Sequence, residues 1–375
     1  MSKLQELIQQ YCPDGVEYKT IKETVGLNRG KRLTKSELIE NGQYEVYHGS
    51  KDTPLGLYNK YNAPKNTTII VNTGGIGGVK YLDKEFWCSD GSFWLGNSKD
   101  INPKFLYYCL SGYENYFLSK KRIGGVPTID RSVVEDFSIP IPPIPVQDEI
   151  VKILDRFAEY AAELQAELQA RQEQYEYYRN KLLTFSKIGG IQQVKWMKMS
   201  EIVELKAGKA IKASELSVVK DSEHPYPCYG GNGIRGYIAK YSHEGRYAII
   251  GRQGALCGCV NWVEGRFYAT EHAVVCTPNN LADTRFLYYL FTKENLNKYK
   301  SQGAQPGLSV SNLNNIEFAI PTVKEQERIV SILDKFERLV NDLTQGLPAE
   351  IAAVQEQYEY YRNKLLSFEE YKISA

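Results

Sequence analysis

A 14-residue segment occurs twice in the chain, and this repeat constrains the fold more than any other feature. The sequence QEQYEYYRNKLLTF at 172–185 returns as QEQYEYYRNKLLSF at 355–368, with thirteen of fourteen positions identical at an offset of 183. Upstream, ILDRF at 153–157 matches ILDKF at 332–336 at an offset of 179. Self-similarity at a fixed period indicates duplicated structural units. The chain is therefore predicted to contain two copies of one unit.

The duplication extends into the segments that precede each helical repeat. LNRGKRLTKSEL at 27–38 aligns with LKAGKAIKASEL at 205–216, and FLYY at 105–108 returns at 286–289. We expect an α+β protein in which two similar mixed α/β domains are separated by two long helices packed as an antiparallel coiled coil. The predicted boundaries are 1–144 and 186–320 for the domains, 145–185 and 321–368 for the helical stretches, with a break near 346–348, and 369–375 for a tail.

The first helical stretch carries apolar residues in steps of four and three. This heptad pattern predicts one seam with a single polar member, formed by Ile150, Leu154, Phe157, Ala161, Leu164, Leu168, Arg171, Tyr175, Tyr178 and Leu182. Pro145 stands just ahead of it, where a helix can begin but not continue. A helix from about residue 146 to 185 is expected.

The second helical stretch follows the same pattern but loses phase. Its seam runs from Ile329 to Leu347 and resumes at Val354 after a four-residue slip, next to Gly346-Leu347-Pro348. Proline removes a helical hydrogen bond, so a kink or break is expected there. Two seams of similar length most simply pack on each other, in antiparallel orientation; the alternative is a coiled coil that dimerises the protein.

Charge is distributed unevenly, although the whole chain carries a net charge of only +1. Segments 1–144 and 186–320 carry +2 and +5, whereas the helical segments 145–185 and 321–368 carry −3 and −2. Positive charge is thus concentrated in the globular copies, where a phosphate backbone could bind. The acidic helical stretches are better suited to protein partners.

Four pairs of loops carry side chains that could contact nucleic acid: 72–73 with 252–253, 47–50 with 229–232, 86–90 with 267–272, and 120–125 with 300–305. Basic residues flank Gly30 and Gly208, so backbone amides could also approach a phosphate. Strands at 67–71 and 247–250 end in polar, glycine-rich turns whose side chains could pair with base edges. The candidate DNA-binding residues are Arg29, Lys31, Arg32, His48, Asn72, Thr73, Asp90, Lys121, Arg122, Lys209, Asn232, Arg252, Gln253, His272 and Gln305.

The sequence offers no convincing catalytic constellation. The segment from Gly26 to Arg32 is one residue too short for a phosphate loop and ends in arginine where Ser or Thr would hold magnesium. Four histidines lack metal or triad spacing, and seven scattered cysteines favour reduced core thiols over disulfides. No apolar run is long enough for a membrane helix and the N-terminus is too polar for a signal peptide, so we expect a cytoplasmic protein without membrane partners.

Two domains alternating with helices that open after Ile-Pro-x-Pro and close with QYEYYRNKLL resemble the specificity subunits of type I restriction-modification systems. The resemblance covers essentially the whole chain, and its most specific parts are 142–157, 172–185, 321–336 and 346–368. GAQPGL at 303–308 is similar to that family's target recognition domains, whereas GGVPTI at 124–129 departs from them.

The resemblance implies a non-catalytic subunit that binds double-stranded DNA at a two-part site, one half per domain, with the helices fixing the unread spacer. It also implies partners: two methyltransferase subunits, which bring S-adenosylmethionine while this chain holds no cofactor, and nuclease/translocase subunits for cleavage. The tandem AELQAELQ at 162–169 is similar to a spacer-length element in part of the family. Two alternatives are a coiled-coil adaptor that binds other proteins without DNA and a specificity subunit of another restriction class.

Overall fold

The computed structural model describes residues 2–122, 124–185, 194–254, 256–301, 307–342 and 346–371. The chain divides into two compact units: unit 1 is Met1–Gln165 with Glu350–Ala375, and unit 2 is Ala166–Ala349. Each unit therefore combines one globular part with portions of both helical stretches, whereas the sequence suggested boundaries at the ends of those stretches.

Helices and strands alternate in both units. The helices are α1 Lys3–Tyr11, α2 Ile21–Thr24, α3 Pro103–Ser111, α4 Glu114–Ser119, α5 Arg131–Glu135, α6 Ile144–Leu182, α7 Met199–Ile202, α8 Thr284–Glu294, α9 Val310–Asn314, α10 Val323–Asn341 and α11 Leu347–Leu365. The strands are β1 Tyr18–Thr20, β2 Leu27–Arg29, β3 Tyr44–Tyr47, β4 Gly56–Tyr58, β5 Thr67–Val71, β6 Val79–Leu82, β7 Trp87–Cys88, β8 Ser92–Leu95, β9 Ser138–Pro140, β10 Val194–Lys198, β11 Val203–Ala207, β12 Tyr226–Gly230, β13 Gly233–Ile238, β14 His243–Gly251, β15 Val260–Ala269, β16 Ala273–Pro278 and β17 Glu317–Pro321.

The sheets of unit 1 are small and mostly antiparallel. One has the strand order β2-β8-β5-β6, a second has the order β4-β3-β7, and β1 pairs with β9. Within the second sheet β3 and β7 are parallel, with Val46 opposite Trp87. The central strand β5 is buried at all five positions because it is covered on both faces. This strand is the one that the sequence predicted at 67–71.

Unit 2 repeats this topology with longer strands. Its main sheet has the order β11-β16-β14-β15-β12-β13, and β10 pairs with β17. Strand β15 pairs antiparallel with β14 and, near its end, parallel with β12, where Cys228 lies opposite Tyr268. The part of unit 1 that corresponds to β15 forms two separate strands, β6 and β7, which belong to different sheets. Unit 1 therefore has two sheets where unit 2 has one. The predicted duplication of a mixed α/β domain is confirmed.

Equivalent helices cover each sheet and begin with equivalent caps. Asn102 accepts hydrogen bonds from the amides of Lys104 and Phe105 at the start of α3, and Asp283 accepts one from the amide of Phe286 at the start of α8. Such caps satisfy amides that have no partner inside the helix. The FLYY segments therefore start at the same turn in both units, and Phe105 and Phe286 are completely buried.

The first helical stretch forms one continuous helix, α6, of 39 residues. Its seam residues Ile150 and Leu154 are buried in the core of unit 1. Tyr175 is buried in the core of unit 2, and Leu182 packs against that core. The predicted seam is confirmed at these positions.

The second helical stretch is divided into two helices. Helix α10 ends at Asn341 and α11 begins at Leu347, with Pro348 in its first turn, where the missing amide proton costs no helical bond. A Cβ on Gly346 would lie 2.6 Å from the carbonyl oxygen of Arg338, so only glycine fits this approach. The break thus falls where the glycine and proline predicted it.

Helices α6 and α11 pack antiparallel within unit 1. Tyr160 of α6 donates a hydrogen bond to Glu350 at the start of α11, whereas Phe157, one turn earlier, stacks on Tyr361 near its end. In unit 2, Tyr178 of α6 stacks on Phe336 of α10 in the corresponding way. The expected antiparallel arrangement is therefore present where these contacts form.

One buried glutamine attaches each globular part to the helix that follows it. Gln147 accepts a hydrogen bond from the amide of Asn102 at 2.8 Å and donates to the carbonyls of Asp100 and Pro142. Gln326 makes the same three bonds with Asp283, Leu281 and Pro321. Both side chains are fully buried. The sequence showed that Gln147 and Gln326 match, but not that they fix the helix to the globular part.

Candidate nucleic-acid interface

Loops from separate parts of the sequence meet beside the sheets of unit 1. The amide of Gly30 donates to the carbonyl of Ser92 at 3.1 Å, and that of Lys31 to the carbonyl of Cys88 at 2.9 Å. A Cβ on Gly30 would lie 2.0 Å from the carbonyl oxygen of Ser89, so this approach requires glycine. The basic run at 29–32 is thereby held against the loop at 89–92.

The other loops join the same place. The amide of Asn72 donates to the carbonyl of Gly91 at 3.0 Å, and that of Gly75 to the carbonyl of Gly49 at 2.8 Å. The amide of Gly91 donates to Nδ1 of His48 at 3.2 Å. We call residues 29–32, 48–50, 72–75 and 89–92 the first loop cluster. Three of the four predicted loop pairs therefore meet the basic run in unit 1.

Unit 2 contains an equivalent assembly. The amide of Lys209 donates to the carbonyl of Ala269 at 3.1 Å, and that of Arg252 to the carbonyl of His272 at 2.9 Å. A Cβ on Gly208 would lie 2.0 Å from the carbonyl oxygen of Ala269, as at Gly30 in unit 1. We call residues 207–209, 230–232, 252–254 and 270–272 the second loop cluster.

The two clusters share a backbone frame but carry different side chains. Asn72 and Arg252 occupy equivalent positions. The amide of Asn72 donates to the carbonyl of Gly91, and that of Arg252 donates to the carbonyl of His272. Their own carbonyls accept the amides of Ile129 and Leu308, respectively. Thr73 and Gln253 follow them and form the equivalent backbone bridges to Thr128 and Gly307. The pairing of 72–73 with 252–253, approximate in sequence, is thus fixed by hydrogen bonds.

Histidine and glycine exchange places between the clusters. His48 in the first cluster corresponds to Gly230, and Gly91 corresponds to His272. In each cluster the imidazole lies beside a carboxylate, with His48 Nδ1 3.3 Å from Asp90 and His272 Nε2 3.1 Å from Glu271. In the first cluster the amide of Gly91 also lies within hydrogen-bond distance of Nδ1, at 3.2 Å.

The candidate residues differ in exposure. Exposed side chains belong to Arg29, Lys31, Arg32, Lys121, Arg122, Lys209, Asn232 and Gln253, and half-buried ones to His48, Thr73, Asp90, Arg252 and His272. Asn72 is an exception, because only 4% of it is exposed. Its Oδ1 is enclosed without a hydrogen-bond partner, and direct readout of a base edge by Asn72 stays a prediction. Gln305 lies outside the described residues.

The loop at 121–130 is attached to the first cluster. The amide of Arg122 donates to the carbonyl of Thr128 at 2.8 Å, and Thr128 bridges to Thr73. The Arg122 guanidinium pairs with Asp130, which neutralises part of its charge, whereas Lys121 beside it is exposed. Of these two residues, Lys121 offers the freer positive charge to a phosphate.

A shallow cavity of about 500 Å³ opens at the second cluster. It is lined by 230–235, Gln253, Gly254 and His272. Arg235 contributes an exposed cation that the sequence analysis missed, because the connection between β12 and β13 is much shorter than that between their counterparts β3 and β4 and the two copies do not align there. The Nε atom of Arg252 is buried without a hydrogen-bond partner. This surface therefore combines cations, amides and an imidazole.

Beside each cluster, a polar junction joins the globular part to its helix. Lys104 and Tyr108 of α3 bind Asp155 of α6 at 2.7 and 2.6 Å. Arg285 and Tyr289 of α8 bind Asp334 of α10 at 2.8 and 2.6 Å. Burial and these hydrogen bonds raise the pKa of both tyrosines, so the hydroxyls remain donors. The junction fixes α3 to α6 and α8 to α10.

The described residues offer no metal centre and no reactive thiol pair. Among them, no group of three or more His, Cys, Asp or Glu side chains could hold a metal ion. Burial raises the pKa of Cys228 to about 11 and that of Cys276 further, so both thiols are protonated at neutral pH. In the same part of the chain, no helix has the length and apolar character needed to cross a bilayer.

Comparison with known proteins gives the family. The model of the type I restriction modification DNA specificity domain matches residues 13–174 and 192–353, one match for each copy of the duplication. The chain belongs to the type I restriction-modification specificity family. Each match ends within a helical stretch, as expected if the family's repeating element is a globular domain followed by helix.

Individual family members are similar over most of the chain. The specificity subunit of the type I restriction enzyme EcoprrI from Escherichia coli is 40% identical over 301 residues, which cover 75% of this chain and 74% of that one. A putative specificity subunit from Haemophilus influenzae is 28% identical over 94% of this chain and 96% of that one. The S subunit of a type I system from M. genitalium has the same fold, with a TM-score of 0.62 and 20% identity over 94% of this chain and 96% of that one.

Proposed function

We propose that this chain is the DNA-reading subunit of a type I restriction-modification complex and that each loop cluster reads one half of a two-part site. The observation that supports this most directly is the common backbone frame of the two clusters. Equivalent hydrogen bonds hold positions 72 and 252, yet these positions carry asparagine and arginine. A common frame with different polar side chains is what two unlike half-sites require.

The distribution of exposed cations supports binding to a phosphate backbone. Arg29, Lys31 and Arg32 project from the first cluster and Lys209 from the second, all with exposed side chains. The amides of Gly30 and Gly208 are already bound to carbonyls of neighbouring loops, so the side chains, and not these amides, would contact a phosphate. Contacts of this kind position a protein on a duplex without reading its sequence, and they make affinity fall with salt.

The outer faces of the helical repeats support two copies of one partner. Packing between the helices explains identity between the copies only at seam positions. The identical residues of 172–185 and 355–368 also include side chains that are exposed in both copies. These are Gln172 and Gln355, Glu173 and Glu356, Glu176 and Glu359, Tyr177 and Tyr360, Asn180 and Asn363, Lys181 and Lys364. Tyr177 and Tyr360 are 59% and 58% exposed. We assign these faces to two methyltransferase subunits.

The chemistry of the complex then belongs to its other subunits. In this assignment the methyltransferase subunits bind S-adenosylmethionine and transfer its methyl group to adenine, and nuclease/translocase subunits join for cleavage. This chain contributes recognition and no catalysis of its own. Access to genomic DNA places the complex in the bacterial cytoplasm.

Helix α6 is the proposed spacer element. It is unbroken over 39 residues, which corresponds to a length of about 58 Å at 1.5 Å per residue. A continuous helix is stiffer than a loop of equal residue number, so it can fix the number of unread base pairs between two half-sites.

The proposal is tested with the complex of this chain and its methyltransferase. Methylated adenines are mapped in genomic DNA from cells that contain the complex and from cells that lack this chain. We expect methylation in a two-part motif with a constant gap, and none of it without this chain. Binding of the purified complex to a duplex carrying the motif should weaken steeply as salt increases.

Exchange of the loops provides the matched control. Replacing the side chains of the first cluster with those of the second should change one half of the methylated motif and leave the other half and the gap unchanged. A change in both halves, or methylation that does not depend on this chain, would contradict the proposal. Binding to the methyltransferase without DNA binding would favour the adaptor alternative.

A further inference from the structure

The second loop cluster contains an arginine whose surroundings distinguish it from Lys209 and Arg235, the exposed cations of the same surface. Arg252 follows the buried end of strand β14, where its amide and carbonyl are both used by neighbouring loops, at His272 and Leu308. The residue is half-buried, and its Nε has no hydrogen-bond partner although it is enclosed. Lys209 and Arg235, by contrast, are exposed.

An enclosed guanidinium nitrogen without a partner is energetically unfavourable, because water has been removed and no acceptor replaces it. Because only Nε is enclosed, the terminal Nη1 and Nη2 atoms remain as the donors that can reach a ligand. The guanidinium is planar and presents pairs of donors, and the pair of acceptors on one DNA base that fits this spacing is O6 and N7 of guanine in the major groove. A phosphate is reached more easily by the exposed cations nearby.

The backbone around Arg252 holds the residue in place. The strand before it is continuous over Ile249, Ile250 and Gly251, and the first two are fully buried. A Cβ on Gly251 would lie 1.9 Å from the carbonyl oxygen of Gly231, so the two loops are in close contact beneath the cavity. Gln253 follows directly with an exposed amide. A rigid base of this kind favours readout of base edges over a loose electrostatic contact.

We propose that Arg252 reads the guanine of one G·C pair in the half-site bound by the second loop cluster, through paired donors to O6 and N7. Unit 1 has no arginine at the equivalent position, and the asparagine there is buried, so its half-site is read differently. This inference rests on the proposed function, since it specifies the base that one cluster of a DNA-reading subunit recognises.

The test compares Arg252→Gln and Arg252→Lys in complex with the methyltransferase. Initial methylation rates are measured on duplexes in which each base pair of both half-sites is changed in turn. Because one bidentate pair contributes about 1–3 kcal/mol of discrimination, both variants should lose about 5-fold to 100-fold preference at a single G·C pair. That pair should lie in the half-site of the second cluster, and all other positions should keep their preference.

Arg246→Gln is the matched control, because it removes the same charge from unit 2 at a side chain that is 75% exposed, pairs with Glu264 and lies outside the cluster. It should leave every preference unchanged. If Arg252 contacted a phosphate, Arg252→Lys would retain activity and Arg252→Gln would weaken all duplexes equally, which would overturn the inference. Unchanged preference in both variants would overturn it too. Failure of the proposed function itself is distinguishable, since the wild-type complex would then show no two-part preference.

Discussion

Phe157 stacks on Tyr361 with ring centroids 5.4 Å apart and an angle of 26° between the ring planes. In the duplication Phe157 corresponds to Phe336 and Tyr361 to Tyr178, and those two rings stack at 5.5 Å and 24°. Each unit therefore contains the same ring contact. In unit 1 the first helical stretch supplies the phenylalanine and the second supplies the tyrosine, and in unit 2 these roles are reversed. A globular part is stabilised by the start of the helix that follows it and by the end of the other helical stretch.

The first prediction concerns this contact. Phe157→Ala and Tyr361→Ala should each destabilise unit 1, and the double variant should be less destabilised than their sum. The coupling energy should be about 0.5–1.5 kcal/mol, which is typical of an aromatic pair beyond its buried area. Denaturant unfolding of the four proteins of the cycle measures it. Tyr177→Ala paired with Phe157→Ala serves as the control and should be additive, and equal behaviour of both cycles would contradict the structure.

The second prediction concerns the buried glutamines. Gln147→Leu removes three hydrogen bonds and leaves the amide of Asn102 and two carbonyls enclosed without partners. Each such group costs about 1–3 kcal/mol, so the stability of unit 1 should fall by at least roughly 3 kcal/mol. Amide hydrogen exchange along α3 should accelerate accordingly.

Gln326→Leu should have the same effect in α8 and little in α3, because its three bonds lie within unit 2. The exposed Gln172→Leu is the control and should change neither helix. Equal protection of α3 in the wild type and in Gln147→Leu would show that the glutamine does not hold the helix.

The third prediction concerns the exchange of histidine and glycine. A Cβ at position 91 would lie 2.8 Å from Nδ1 of His48, so Gly91→Ala should displace the imidazole. Recognition of the half-site bound by the first cluster should decrease, and recognition of the other half should not. In the double variant His48→Ala/Gly91→Ala the steric effect should be absent, so the two substitutions should be strongly non-additive when methylation rates are compared. Additive losses would mean that the two residues act separately.

The fourth prediction concerns the tandem AELQ units at 162–169. One additional unit adds four residues, slightly more than one helical turn, and lengthens α6 by about 6 Å. Side chains beyond the insertion therefore keep nearly the same orientation around the helix axis. With about 3.4 Å per base pair, the gap between the methylated half-sites should grow by one or two pairs. Mapping methylated adenines measures this directly. Gln169→Ala changes the unit without changing its length and should leave the gap as it was; an unchanged gap in the insertion variant would refute the spacer role of α6.

The repeat made much of the fold predictable from the sequence. Alignment of 172–185 with 355–368 gave the order of units, the apolar steps gave α6, and Gly346 with Pro348 gave the break before α11. These features depend on local rules of helix formation. The division of one strand path into β6 and β7, against the continuous β15, was not predictable, since it depends on how neighbouring strands pair.

The candidate interface was predictable in its loops but not in each side chain. Polar turns after β5 and β14 indicated where the clusters form. The burial of Asn72 depends on partners at 91 and 129, which are distant in sequence. The residue types of β5 do not predict this burial. Arg235 was missed because the connections between β3 and β4 and between β12 and β13 differ in length, so the two copies could not be compared at that position.

The glycines at 30 and 208 hold the loops through their backbone and contribute no side chain to the candidate interface. Any side chain there would collide with a carbonyl at 2.0 Å, so the loops are anchored through main-chain atoms alone. Neighbouring positions are then free to mutate without a penalty in folding. The exposed loop side chains can therefore differ between the two copies while these main-chain contacts stay the same.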